Sequence, residues 1–146
     1  MTQKPRSSAP GEVIVGRHVY GSLYGVPRSK AGDEEFLRRV VLDAVKASGA
    51  VLHDIKSWSI PGVKGGVSVI ALILESHIAL HTWVEYAYAT FDVFTCGERA
   101  DPFKAFEVIL SALEPSYYTL HYSDRSQLPL AEAMYSGYRR GFSLYP

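Results

Sequence analysis

The sequence predicts an α+β fold, a two-layer sandwich in which a mainly antiparallel sheet carries two helices on one face. Two segments have a helical apolar stripe, several others have the alternation or apolar continuity of strands, and the order is β-α-β-β-β-β-α-β. Two amphipathic helices can cover only one face of such a sheet. We therefore expect the other face to meet a ligand, a second copy of the chain, or both.

The first half of the chain gives the elements in this order. Residues 1–11 mix Pro, Ser, Lys and Arg without periodicity and are expected to be a mobile tail. EVIVGRHVYGSLYG predicts the first strand, and DEEFLRRVVLDAVKASG predicts a helix with one apolar stripe that ends at Gly49. Residues 50–60 predict the next strand, which the turn-rich segment PGVKGG follows.

The second half continues the sheet. GVSVIALILE and SHIALHTW predict two strands, either continuous or bent at Glu75, and YAYATFDVFT predicts another with one partly polar face. Asp101 and Pro102 predict the start of the second helix, and SYYTLHYSD predicts a last strand. Residues 12–126 are thus expected to form one domain, with residues 127–146 as an unassigned C-terminal tail.

Composition excludes several classes of protein. The 15 Lys and Arg residues balance the 15 Asp and Glu residues. The chain therefore has no excess positive charge that would predict binding to nucleic acid or to an anionic membrane. The apolar run at 69–74 is far shorter than the roughly 20 residues of a spanning helix, and no signal peptide is evident, so a cytoplasmic protein is expected. The single cysteine, Cys96, permits neither an intrachain disulfide nor a thiolate zinc cluster.

The stretch LILESHIALHTWVEY concentrates reactive side chains at the end of a predicted strand. A metal site is not expected, because four residues of strand hold His77 and His81 roughly 13 Å apart. A Ser-His hydrolase with Asp92 as the third member lacks a G-x-S-x-G motif around Ser76. A further alternative is attack by the Ser76 hydroxyl on its own preceding peptide bond, and the residues alone leave these chemistries open.

The motif ESHIALHTW, followed by EYAYATFDVFTCGERADPFKAF, resembles the prokaryotic S-adenosylmethionine decarboxylase family of self-cleaving, pyruvoyl-dependent enzymes. The resemblance extends from about Gly16 to Arg125. It implies cleavage between Glu75 and Ser76, which would give a β chain of residues 1–75 and an α chain of residues 76–146. It also implies assembly as an (αβ)2 dimer or larger.

The same resemblance implies roles for four side chains. Ser76 would become a covalent pyruvoyl group that forms a Schiff base with the substrate amine. His81 would be the proton acceptor during cleavage, with Ser68 assisting, and Cys96 would protonate the substrate carbon after CO2 leaves. Nothing in the motif assigns a role to His77.

The substrate is the open part of this interpretation. Val84 stands where the family's HTWPEY motif has proline, and HTWVEY, KGGVSVIAL and YSDRS are together similar to an archaeal branch that decarboxylates arginine to agmatine. Arginine is therefore expected, with S-adenosylmethionine or another basic amino acid as alternatives, and an unprocessed partner subunit as an alternative of another class. Carboxylates would bind a guanidinium group. The candidate acids are Asp33, Asp54, Glu85, Asp92 and Asp124.

Overall fold

A seven-stranded antiparallel sheet with two long helices on one face makes up residues 13–127, which this computed structural model describes. The α+β sandwich predicted from the sequence is confirmed. The strands lie in the order β2-β3-β4-β5-β1-β6, with β7 also paired to β1. The elements are β1 (Gly16–Tyr24), α1 (Arg28–Ala31), α2 (Glu34–Ser48), β2 (Leu52–Ile60), β3 (Gly66–Ile73), β4 (Ser76–Trp83), β5 (Tyr88–Cys96), α3 (Pro102–Leu113), β6 (Tyr117–Tyr118) and β7 (His121–Asp124).

The two chain ends fall largely outside this description. The predicted tail at residues 1–11 lies outside the described residues, and of the C-terminal tail at residues 127–146 only Gln127 is described. The backbone N–H of Gln127 donates to the carbonyl of Ile14 at 2.8 Å. That hydrogen bond extends the edge pairing of β7 and β1 by a few residues.

Both long helices begin as their sequences predict, and α2 also ends where its sequence predicts. The Asp33 carboxylate accepts a hydrogen bond from the backbone N–H of Phe36, and Gly49 ends α2 with φ 83°. The Asp101 carboxylate caps α3 in the same way by accepting from the N–H of Phe103. The one-turn helix α1 was not predicted, because four residues after Pro27 are too few for an apolar stripe.

The sheet separates into a buried face and an open face because side chains alternate along each strand. The buried face packs against α2 and α3, and each fully buried aliphatic side chain contributes about 1.5–3 kcal/mol. Its fully buried members include Val19, Leu23, Val67, Val69, Ile78, Leu80 and Val93. The opposite face, here called the open face, carries His18, Tyr20, Ser22, Ser68, His77, His81, Trp83, Tyr88, Asp92 and Phe94.

Three strand boundaries differ from the sequence prediction. The strands around Glu75 are not continuous: Ile73 pairs with Ser76, so Leu74 and Glu75 form a two-residue hairpin turn. β5 begins at Tyr88 because Ala87, with φ 48°, lies in a turn. The predicted last strand is divided into β6 and β7 around Thr119, whose carbonyl oxygen would lie only 2.0 Å from a β-carbon at Gly21.

Candidate active site

The hairpin turn places the predicted scissile bond beside the only cysteine of the chain. Ser76 is the first residue of β4, directly after the turn, and Cys96 is the last residue of the neighbouring strand β5. The Cys96 thiol donates to the carbonyl oxygen of Glu75 across an Sγ–O distance of 3.6 Å. The carbonyl that Ser76 would attack is therefore within reach of a weak acid.

The surroundings of the Cys96 thiol favour its protonated form. Partial burial, followed by the negative charge of Glu75, raises the pKa of Cys96 above the ordinary value for a thiol. A hydrogen bond with the Ser76 side chain and the positive charge of Arg125 act in the opposite direction and only partly offset that rise. A thiol with a raised pKa is suited to donate a proton at neutral pH rather than to act as a nucleophile.

Ser76 and Cys96 line one side of a cavity of about 500 Å³. The backbone after α2 and the loop after β5 close its other sides. Glu75, Glu98 and Arg99 are among its lining residues, and none of the lining residues is aromatic. The cavity is thus large enough for an amino-acid substrate and carries both signs of charge.

Ser68 and His81 form a separate pair on the open face. They lie opposite each other on β3 and β4, and Ser68 Oγ is 2.8 Å from His81 Nδ1. His81 follows Ser76 by five residues on β4, which at about 3.3 Å per residue is roughly 16 Å. Five residues is also an odd number, so the two side chains start from opposite faces of the strand. One chain therefore does not bring His81 to Ser76.

A second polar group on the open face accounts for His77. The same carboxylate oxygen of Asp92 lies 2.9 Å from His18 Nε2 and 3.2 Å from His77 Nε2. The three side chains come from adjacent strands β1, β5 and β4. His18 was not singled out from the sequence. It lies on the same face of β1 as Tyr20 and Ser22, which is the open face of the sheet.

The other candidate acids lie away from the cavity. Asp33 caps α2, and the Asp54 carboxylate lies 4.0 Å from Lys56 on β2. Glu85 lies 3.6 Å from Arg28 at the surface. The Asp124 carboxylate accepts hydrogen bonds from Ser126, which lower its pKa. None of these lines the cavity, whereas Glu98, which does, was missed because only its position two residues after Cys96 could have indicated it.

Two further observations concern metals and membranes. Within residues 13–127, no three His, Cys, Asp or Glu side chains are grouped as metal ligands. None of the helices described here combines the length and apolarity needed to cross a membrane.

Comparison with known proteins gives concordant matches. The family described as S-adenosylmethionine decarboxylase matches residues 17–126. A protein of Aeropyrum pernix named arginine decarboxylase proenzyme is 68% identical over 116 residues, which is 80% of this chain and 88% of that protein. Proteins with the same name from Hyperthermus butylicus and Ignicoccus hospitalis are 54% and 58% identical, over 87% and 77% of this chain and 89% and 78% of their own lengths.

A solved structure agrees with these matches. The crystal structure of the adenosylmethionine decarboxylase from Aquifex aeolicus superposes with a TM-score of 0.72 at 28% sequence identity. The superposition covers 80% of this chain and 94% of that one.

Proposed function

The chain belongs to the S-adenosylmethionine decarboxylase family, and we propose that it is an arginine decarboxylase proenzyme of that family. In this proposal the chain cuts itself between Glu75 and Ser76 and then converts L-arginine to agmatine and CO2. The observation that carries the proposal is the hairpin turn, where Ser76 follows the carbonyl that the Cys96 thiol contacts. The three archaeal relatives named arginine decarboxylase proenzyme support the same substrate.

The cleavage chemistry follows from the position of Ser76. Its Oγ attacks the carbonyl carbon of Glu75, and the amide becomes an ester as the nitrogen takes up the proton. A base then removes the α-proton of Ser76, the Cβ–Oγ bond breaks, and Glu75 leaves as a carboxylate. Addition of water and loss of ammonia turn the remaining dehydroalanine into a pyruvoyl group. The Cys96 thiol, 3.6 Å from the carbonyl oxygen, stabilises the negative charge that develops there.

The base in this scheme comes from a second copy of the chain. Ser68 orients the imidazole of His81 through its 2.8 Å contact, but both lie roughly 16 Å along β4 from the serine of their own chain. We therefore propose that a second copy packs on the open face and presents its Ser68–His81 pair at the end of β4, where the Ser76 side chain hydrogen-bonds with Cys96, a residue with open-face parity on β5. This arrangement also gives the open face the partner that a half-polar, uncovered sheet requires.

The residues around Ser76 fit a pyruvoyl group. Ser76 lines the cavity at a chain turn, so the new terminus has space on the side where substrate enters. A pyruvoyl carbonyl there would accept the electron pair that the departing carboxylate leaves behind. The raised pKa of Cys96 keeps its proton available for transfer to the substrate carbon.

The cavity favours arginine over S-adenosylmethionine. Glu75 and Glu98 offer carboxylate oxygens to which a guanidinium group donates charge-assisted hydrogen bonds. An adenine ring would need an aromatic surface for stacking, and the residues lining the cavity in this chain supply none. We propose Glu98 as the main carboxylate for the guanidinium, since Glu75 lies in the turn that is cut.

Two measurements on the purified protein test the proposal. A denaturing gel should show two fragments, corresponding to residues 1–75 and 76–146, and Ser76→Ala should leave one intact chain. Release of labelled CO2 should be measured with carboxyl-labelled arginine and with carboxyl-labelled S-adenosylmethionine. An intact wild-type chain contradicts self-cleavage and would indicate the unprocessed partner subunit. Cleavage of the chain together with CO2 release from S-adenosylmethionine but not from arginine contradicts arginine as the substrate.

A further inference from the structure

Arg125 is held over the open face by an aromatic ring. Its guanidinium carbon lies 4.1 Å from the centre of the Phe94 ring, within the range of a cation–π interaction. Its backbone N–H donates to the carbonyl of Gly16 at 2.9 Å, which extends the pairing of β7 with β1 by one residue. The side chain thus reaches from β7 across β1 to β5.

Gly16 makes this crossing possible. A β-carbon at that position would lie 2.8 Å from the Arg125 carbonyl oxygen and 3.2 Å from a carbon of the Phe94 ring. Real β-carbons essentially never approach another atom within 3.0 Å, so any other residue would push the Arg125 backbone away and would also crowd the Phe94 ring. Gly16 is also the residue of β1 that pairs with Cys96 on β5.

The contact with the Phe94 ring brings the Arg125 guanidinium close to Cys96. Phe94 and Cys96 are two residues apart on β5 and so share one face of the strand, roughly 7 Å from each other along it. The charge of Arg125 lowers the pKa of the Cys96 thiol, against the larger effects of burial and of Glu75. Geometry and charge therefore agree that Arg125 acts on this thiol.

Cleavage at the hairpin turn would change the charge that this thiol faces. The carbonyl oxygen of Glu75, now 3.6 Å from the Cys96 sulfur, would become an oxygen of a new α-carboxylate. Cys96 would then face two negative groups of one residue, the side chain and the new terminus. Both would raise the pKa of the thiol further, and a thiol whose pKa lies far above the working pH is a poor proton donor.

We propose that Arg125 is a positioning residue for Cys96, held by Phe94 and Gly16 to balance the carboxylate that self-cleavage creates at Glu75. The proposal rests on the proposed function, because that carboxylate exists only if the chain is cut there. Arg125 keeps the thiol acidic enough to transfer its proton and holds the new terminus of the β chain beside it.

Other charged and titratable side chains lie in the same region. Arg17 on β1 is engaged, since one of its terminal nitrogens donates to the carbonyls of Glu98 and Ala100 at 3.1 and 2.6 Å. Glu98 and Arg99 lie on the loop after β5 and line the cavity. On β4, the His77 ring lies edge-on to the Phe94 ring at a centroid distance of 5.9 Å. Arg99 is therefore the other cation that could act on the Cys96 thiol.

The single cysteine permits a test that does not depend on decarboxylation. The rate of Cys96 alkylation by iodoacetamide is measured against pH, since only the thiolate reacts. Arg125→Gln, Arg125→Lys, Phe94→Leu and Arg99→Gln are each made in the wild type and in uncleaved Ser76→Ala. Arg39→Gln is the matched control, because Arg39 is exposed on α2, where it forms an ion pair with Glu35 at 3.8 Å. A denaturing gel reports cleavage of every variant.

Arg125→Gln should slow alkylation about threefold near pH 8 in the uncleaved background, and more after cleavage, because removing the cation raises the thiol pKa. Arg125→Lys should restore much of the rate, Phe94→Leu should give a smaller slowing, and high salt should shrink every difference because Arg125 is exposed. Arg39→Gln should change nothing.

Three results would overturn the proposal. They are unchanged alkylation in Arg125→Gln, an equal effect before and after cleavage, and a larger effect from Arg99→Gln than from Arg125→Gln. A wild-type chain that stays intact on the gel contradicts the proposed function. It also contradicts the part of this proposal in which Arg125 balances the carboxylate formed by cleavage. The comparison within Ser76→Ala still decides whether Arg125 acts on Cys96.

Discussion

The two ends of the β3–β4 hairpin carry complementary halves of one chemistry. At the hairpin turn, Ser76 and the Glu75 carbonyl lie beside a thiol and a cavity, while the imidazole that follows in sequence, His77, is hydrogen-bonded to Asp92. Near the opposite end, His81 is hydrogen-bonded to Ser68. In the proposed mechanism, the first end contains the bond that is cut and the second end provides the base. Ser76 and His81 are only five residues apart in the sequence, but the straight strand β4 keeps them far apart in space.

The Ser68–His81 end is tested by the change with the largest expected effect on cleavage. His81→Ala should slow cleavage by a factor of 10² or more, because general-base catalysis contributes about 10²–10⁴-fold. Ser68→Ala should slow it less, since it removes only the group that orients the imidazole. His53→Ala is the matched control, because His53 is exposed on β2. Time courses on denaturing gels measure these rates, and full-speed cleavage in His81→Ala would contradict the assignment.

The turn end is tested by separating cleavage from decarboxylation. Cys96→Ala should still be cut, because its thiol only assists at the carbonyl, but decarboxylation per cleaved chain should fall about 100-fold. CO2 release normalised to the α fragment measures this. A Cys96→Ala enzyme as active as the wild type would remove the thiol from the mechanism.

The raised pKa of Cys96 sets a pH dependence whose sign is fixed. A proton donor works only while protonated, and burial together with Glu75 moves loss of that proton to higher pH than in a free thiol. The kcat of decarboxylation should therefore persist above about pH 8.5, where an ordinary cysteine is half ionised. An alkaline decline well below that pH would show that another group limits the reaction.

The cavity at the turn end is tested by a smaller effect on substrate affinity. Glu98→Gln should raise the KM for arginine about tenfold with little change in kcat, because a charge-assisted hydrogen bond is worth about 1.5–3 kcal/mol. Glu85→Gln is the matched control, since Glu85 lies outside the cavity in a surface pair with Arg28. Steady-state kinetics with arginine give both constants, and equal KM values for the two variants would remove Glu98 from substrate binding.

Much of the fold followed from the sequence because its signals are local. The caps of α2 and α3, Asp33 and Asp101, are read within four residues of chain, and the alternation of β5 marks its buried face. The division of the last strand did not follow, since it depends on how closely Thr119 approaches Gly21 on another strand. The positive φ of Ala87 gave no signal, because alanine rarely adopts a left-handed conformation and nothing in its sequence context marks it.

The sequence motif named candidate site residues but did not predict how they are arranged. The motif identified Ser68, Ser76, His81 and Cys96, yet only the register of β3, β4 and β5 separates them into two groups. The same strand spacing that argues against a zinc site at His77 and His81 also removes His81 from Ser76. Glu98 and Arg125 became visible only through the cavity and the Phe94 ring.

Complementation between two inactive chains tests the division between copies most directly. Chains carrying His81→Ala keep Ser76, and chains carrying Ser76→Ala keep His81. The two are co-expressed with tags of different size, so that a gel identifies which chain is cut. Cleavage of the His81→Ala chain when Ser76→Ala is present, and not when it is alone, is the predicted result. A His81→Ala chain that stays intact in verified mixed assemblies would contradict catalysis by a base from the second copy.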